Sequence, residues 1–191
     1  MKKDKFFDFV ILSFRWYLIF YLISYGYQKL TMSQFGVSDP SILDEPIKSI
    51  DSFYIAWHLF NTSVFFNIVT GVLEIMTAIL LVFNRTVVIG AFLALIILTQ
   101  ILIIDISFTT GVFGVSLPLR IAGMILCNTF ILFYNKEKVV KLWEIIIKKN
   151  IPKFKYKWWV YIVLPIVGFL MDFIFTLITY FMKNLVNLVV N

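Results

Sequence analysis

One cysteine and one histidine occur in 191 residues, and the scarcity of both excludes several chemistries. Cys127 alone cannot form a disulfide or a dithiol pair within the chain. His58 alone cannot supply two axial haem ligands, and the sequence contains no histidine or cysteine cluster at metal-ligand spacing. No glycine-rich phosphate loop or dinucleotide fingerprint occurs. Charge is scarce as well: 15% of residues are charged against 61% hydrophobic, far from the mix of a soluble domain. The net charge of +6 gives no case for nucleic acid, because the positions of the apolar runs account for where the lysines fall.

Those runs are the dominant feature. A bilayer core of about 30 Å needs roughly 20 apolar residues in a helix. Five stretches meet that length, at about 9–30, 57–83, 87–108, 117–134 and 158–182. They are too long for barrel strands and lack period-two alternation, so an all-α integral membrane protein is expected. The first run contains Arg15, exceeds the apolar core of a signal peptide and is followed by no small-residue cleavage site, so it is expected to stay as a span.

Lysine placement orients the chain. Lys2, Lys3 and Lys5 precede the first run, and Arg85 marks the turn between the second and third. The connection 135–157 holds eight lysines against Glu137 and Glu144, a net of +6. The loop 31–56 carries Asp39, Asp44, Glu45 and Asp51 against Lys48, a net of −3. All basic connections therefore fall on one side, which places the N-terminus in the cytoplasm and, after five crossings, the C-terminus outside. Within 135–157, Val139, Leu142, Trp143 and Ile146 recur at helical spacing among Lys138, Lys141, Glu144, Lys148 and Lys149, the pattern of an amphipathic helix on the inner leaflet.

Ionisable residues at membrane depth are costly unless paired or hydrated, which makes Arg15, Glu74, Asp105, Arg120 and Asp172 candidates for function. Ser63, Asn67, Thr70, Glu74 and Thr77 share one face of the second span with Gly71 beside them. Gly168, Asp172, Thr176 and Thr179 repeat the idea after Pro165, and Arg15, Gly26 and Lys29 share a side of the first span. These faces are expected to line a polar bundle interior. Counting about 1.5 Å per residue from the basic ends puts Arg15 and Glu74 at similar depth and predicts an ion pair between them. Asp105 and Arg120 fall near the outer ends of their spans, in a cluster with Lys29 and His58. The pairs serve either as staples between helices, with Gly71, Gly90, Gly123 and Gly168 permitting close approach, or as a site that orients a polar headgroup.

Specific residues then point to a family. Tyr25-Gly26-Tyr27-Gln28-Lys29-Leu30, Gln34-Phe35, Gly71-Val72-Leu73-Glu74 and the run Leu80-Leu81-Val82-Phe83-Asn84-Arg85-Thr86 before Ile89-Gly90-Ala91 resemble the DoxX-like family of small bacterial membrane proteins. Arg15 with Tyr17 fits the family's opening, and the third span departs from its pattern at Ile104-Asp105-Ile106-Ser107-Phe108. The resemblance implies a DoxX-like four-helix transmembrane bundle over 1–134 in the bacterial inner (cytoplasmic) membrane. A basic surface connection over 135–157 and a fifth transmembrane helix with a short outer tail over 158–191 then read as additions.

The functional expectation is an accessory subunit of a membrane complex that binds a quinone or lipid in a polar-lined bundle. A quinone-linked oxidoreductase subunit and a small-solute transporter are the alternatives. The expected polar network is Arg15, Tyr25, Lys29, Asn67, Glu74, Asp105, Arg120 and Asp172. No catalytic residue, metal or intrinsic cofactor is assigned; a quinone is the candidate bound group. The expected partners are the lipid bilayer and other membrane proteins.

Overall fold

Apolar runs of this length satisfy their backbone only as helices, and the computed structural model is all-helical. It describes residues 2–35, 46–111, 113–147 and 155–190, with side chains omitted at 2–4, 172 and 184–190. Asp39, Asp44, Glu45, Lys148, Lys149 and Lys153, used above to orient the chain, lie outside the described residues. The helices are α1 (Lys2–Leu30), α2 (Ser52–Thr62), α3 (Val64–Val82), α4 (Val87–Phe108), α5 (Phe113–Tyr134), α6 (Lys136–Ile147) and α7 (Trp158–Val190). Five of them, α1, α3, α4, α5 and α7, are long and apolar enough to cross a membrane.

Met1–Ile146 form one compact unit and Ile147–Asn191 another. In the first, α1 packs on α3 and α5, and α4 packs on α3 and α5, which closes a four-helix bundle. Its centre is filled by Leu18, Leu22, Ala78, Leu98 and Met124, all fully buried. The short helix α2 lies against α3 and α4.

The second expected span is not one helix. Residues 57–62 belong to α2, and the chain breaks at Ser63, whose backbone is extended (φ −96°, ψ 95°). The Ser63 hydroxyl accepts from the Phe66 amide at 3.2 Å, and the Asn67 amide donates to the carbonyls of Phe60 at 2.8 Å and Ser63 at 3.0 Å. Side chains that serve backbone groups in this way compete with helix continuation, and hydropathy does not register them. The predicted polar face of this region is buried in α3 at Asn67, Gly71, Glu74 and Thr77, whereas Ser63 is exposed.

Two glycines set the α1–α3 crossing. A Cβ on Gly26 would lie 2.7 Å from the Gly71 carbonyl oxygen, and one on Gly71 would lie 2.8 Å from that of Gly26. Only glycine permits this approach of two backbones. Gly90 is similarly close to the backbone of α3, but Gly123 and Gly168 face open space, so the close-packing role expected of those two is not found. In the second unit, every described side chain of α7 from Trp158 to Lys183 is exposed except the half-buried Val160.

Candidate functional site

At the C-terminal end of α1 the chain reverses. Met32 adopts a left-handed conformation (φ 56°), the Ser33 amide donates to the Gln28 carbonyl at 2.8 Å, and Gln34 and Phe35 return over Lys29. Side chains on helices lean toward their own N-termini, so in the antiparallel α1–α3 pair Lys29 leans back toward Gly26 and Glu74 leans up toward Gly71. Their heads meet beside the glycine crossing, with Lys29 Nζ donating to Glu74 Oε1 at 2.5 Å. Lys29 is 4% exposed and Glu74 2%. From α4, Asp105 (6% exposed) reaches the same place.

These groups line a cavity of about 90 Å³ whose other walls include Phe35, Trp57, Phe60, Phe66, Thr70 and Ile101. The rings of α2 form its cover. Phe35 packs on Trp57 at 5.8 Å and on Phe60 at 5.4 Å, and Phe60 stacks on Phe66 at 5.2 Å. Asp51 fixes this cover twice: one carboxylate oxygen caps α2 at the Phe53 amide at 2.8 Å, and the other accepts from the Thr110 hydroxyl, beyond α4, at 3.0 Å. Phe53 stacks on Phe113 of α5 with ring centroids 6.0 Å apart.

The cavity holds unmet hydrogen-bonding capacity. Among the described residues, Glu74 Oε2 and Gln34 Oε1 are buried without a partner. The Asp105 carboxylate takes no hydrogen bond among the described residues; Lys29 and Arg120 are the cations that act on it electrostatically. Buried polar atoms in native proteins are normally satisfied, so orphaned acceptors in a cavity mark a place that water or a ligand completes.

Arg15 is elsewhere. The expected Arg15–Glu74 pair does not form: Arg15 donates to the carbonyls of Leu81 at 2.7 Å and Val82 at 2.8 Å and to Asn84 Oδ1 at 2.6 Å. Arg15 and Gly26 are eleven residues apart, as are Val82 and Gly71, so about 16 Å of helix separates Arg15 from the glycine crossing. Depth counted from the apolar start of α1 missed this, because α1 runs past the end of α3. Arg15 is instead a cationic cap on the carbonyls at the α3 C-terminus.

Of the remaining expected network, Arg120 and Tyr25 stand near Asp105 and Lys29 but outside the cavity lining, and the other residues sit apart. Tyr25 is half-buried on α1, with the Lys29 ammonium 6.0 Å from its ring centre, and does not line the cavity. Arg120 is exposed on α5, 5.8 Å from the Tyr21 ring and close to Tyr25. Asn67 holds the α2–α3 break, and His58 is exposed on α2. The side chain of Asp172 lies outside the described residues. Sequence reasoning missed Gln100 and the aromatic cover. The signals were present: a glutamine in mid-span, and Phe53, Trp57 and Phe60 at helical spacing. It also missed Asn128, fully buried on α5, whose amide donates to the Ala91 carbonyl of α4 at 2.8 Å.

A bundle of apolar spanning helices with a small polar cavity under a broken helix defines a multi-pass membrane protein. The DoxX family model matches residues 10–105, and the chain belongs to that family. It is 34% identical over 114 residues to the uncharacterized protein YwoB of Bacillus subtilis (strain 168), a match covering 60% of this chain and 72% of that one. No solved structure matches it significantly.

Proposed function

We propose that this chain is an accessory, ligand-binding subunit of a membrane complex, and that the cavity under α2 holds the polar head of a membrane amphiphile. The observation that carries the reading is Glu74 Oε2, a buried acceptor without a partner among the described residues, in a cavity roofed by aromatic rings. Asn61, Asn67 and Asn128 also leave a buried amide oxygen without a partner among the described residues, but a carboxylate oxygen is costlier to leave unmet than an amide oxygen, and Glu74 belongs to the cavity lining.

A lipid head fits better than a quinone ring. A cavity of roughly 150 Å³ is known to admit benzene, whereas this one is about 90 Å³. Transport is weighed against by the packed layer of Leu18, Leu22, Ala78, Leu98 and Met124 in the bundle centre. The cytoplasmic membrane, with the N-terminus inside, is supported by the gathering of cations at the Arg15 end. Lys138 of α6 donates to the Asn84 carbonyl there at 3.3 Å, and Arg85 occupies the adjoining turn.

Gentle extraction from the native membrane, followed by mass spectrometry of bound lipids, quinones and proteins, tests the proposal. The wild-type chain is expected to carry one amphiphile in stoichiometric amount together with a membrane partner, and Thr70→Trp, which fills the cavity, is expected to lose the amphiphile. Equal amphiphile content in both proteins would overturn the reading.

A further inference from the structure

The charges of the cavity select among headgroups. Lys29 engages one oxygen of Glu74, which leaves Glu74 Oε2 free and the Asp105 carboxylate without a hydrogen bond among the described residues. In the cavity lining itself two carboxylates, Glu74 and Asp105, stand beside one ammonium, and the Arg120 guanidinium acts on Asp105 from outside that lining. An amide such as Gln34 can be turned to present its nitrogen, but an ionised carboxylate offers only acceptors. A phosphate or carbonyl entering here would find donors on Lys29 and the turned amide but none at Glu74 Oε2 or Asp105. A hydroxyl would supply one donor and no charge. An ammonium would supply several donors and a charge that both carboxylates attract.

Three further features agree. The rings of Phe35, Trp57, Phe60 and Phe66 line the same space, and a cation is attracted to aromatic faces; the resident Lys29 ammonium already lies 5.8 Å from the Phe35 ring centre. The volume, about 90 Å³, has room for several water molecules and so for an aminoethyl group. Beside the cavity, a shallow apolar groove along α4 is lined by Leu95, Ile96, Thr99, Gln100, Ile103 and Ile104. Gln100 and Ile104 belong to both, so the groove leads from the cavity mouth along the outside of the bundle.

We propose that the cavity binds the primary ammonium head of a membrane lipid, seated between Glu74 Oε2 and the Asp105 carboxylate, with an acyl chain along the α4 groove. This rests on the reading of the cavity as a headgroup site. The test is native mass spectrometry of the delipidated, full-length protein with equal concentrations of phosphatidylethanolamine, its N-acetylated derivative, phosphatidylcholine and phosphatidylglycerol. Phosphatidylethanolamine is expected to be retained about tenfold over the other three, the size of one charge-assisted hydrogen bond, and Asp105→Asn is expected to reduce that preference. The lipid series on the wild-type protein does not depend on how the variant folds. Equal retention of the N-acetylated lipid or of phosphatidylglycerol would overturn the ammonium assignment and leave the headgroup site standing. Retention of none of them would overturn both. Displacement of bound phosphatidylethanolamine by an equal concentration of free ethylammonium would overturn the assignment to a lipid.

Discussion

Lys29 and Glu74 form an ion pair because Gly26 and Gly71 bring the backbones of α1 and α3 into contact beside them. The two pairs of residues recur at the same spacing on their helices, so the crossing and the charge pair are one structural unit. Removing Lys29 leaves Glu74 and Asp105 without their ammonium. Lys29→Met is expected to destabilise the bundle by about 3–5 kcal/mol, and the double variant Lys29→Met with Glu74→Leu to recover part of that loss. Thermal unfolding of the detergent-solubilised proteins measures both; a double variant as unstable as the single one would contradict the expectation.

The glycine crossing gives a sharper contrast. Gly71→Val places side-chain atoms against the Gly26 carbonyl and is expected to lower the melting temperature of the solubilised protein strongly. Gly123→Ala meets open space and is expected to be neutral or to stabilise by up to about 1 kcal/mol through helix propensity. Equal melting temperatures for the two variants would show that the α1–α3 approach is not tight.

Arg15 separates stability from binding. Arg15→Met leaves the carbonyls of Leu81 and Val82 without their cationic donor, at an expected cost of about 1–3 kcal/mol. It lies about 16 Å of helix from the glycine crossing, so amphiphile retention by the folded fraction is expected to be unchanged. Loss of retention without loss of stability would tie Arg15 to the site after all.

The cover depends on Asn67. Asn67→Ala removes the donors that hold the Phe60 and Ser63 carbonyls, and amides of Ser52–Thr62 are expected to exchange hydrogen faster while those of α3 below Gly71 keep their protection. A uniform change over both helices would mean that the break at Ser63 is not an independent joint.

Much of this architecture could be read from the chain. Length and hydropathy located the spanning helices, and the three-four spacing of Asn67, Gly71, Glu74 and Thr77 identified the buried face of α3. The pairing of charges was less legible, because it depends on where helices start relative to one another. Nothing local in Arg15 says that its level coincides with the end of α3, or that Lys29, near the end of its own helix, turns back to reach Glu74. Hydropathy averaging also ran α2 into α3, because the capping at Ser63 and Asn67 is a matter of individual hydrogen bonds. The aromatic cover went unrecognised for the same reason: once the end of α2 is merged into a span, Trp57 and Phe60 read as part of that span while Phe53 falls in the loop 31–56.

A crystal structure of the protein taken from its native membrane and grown in a lipidic mesophase would examine the cavity itself. The headgroup reading predicts density within hydrogen-bond distance of Glu74 Oε2 and the Asp105 carboxylate, beneath Phe60 and Trp57, continuing toward Gln100. A cavity holding only water, or closed by Asp105 turning onto Lys29, would contradict it.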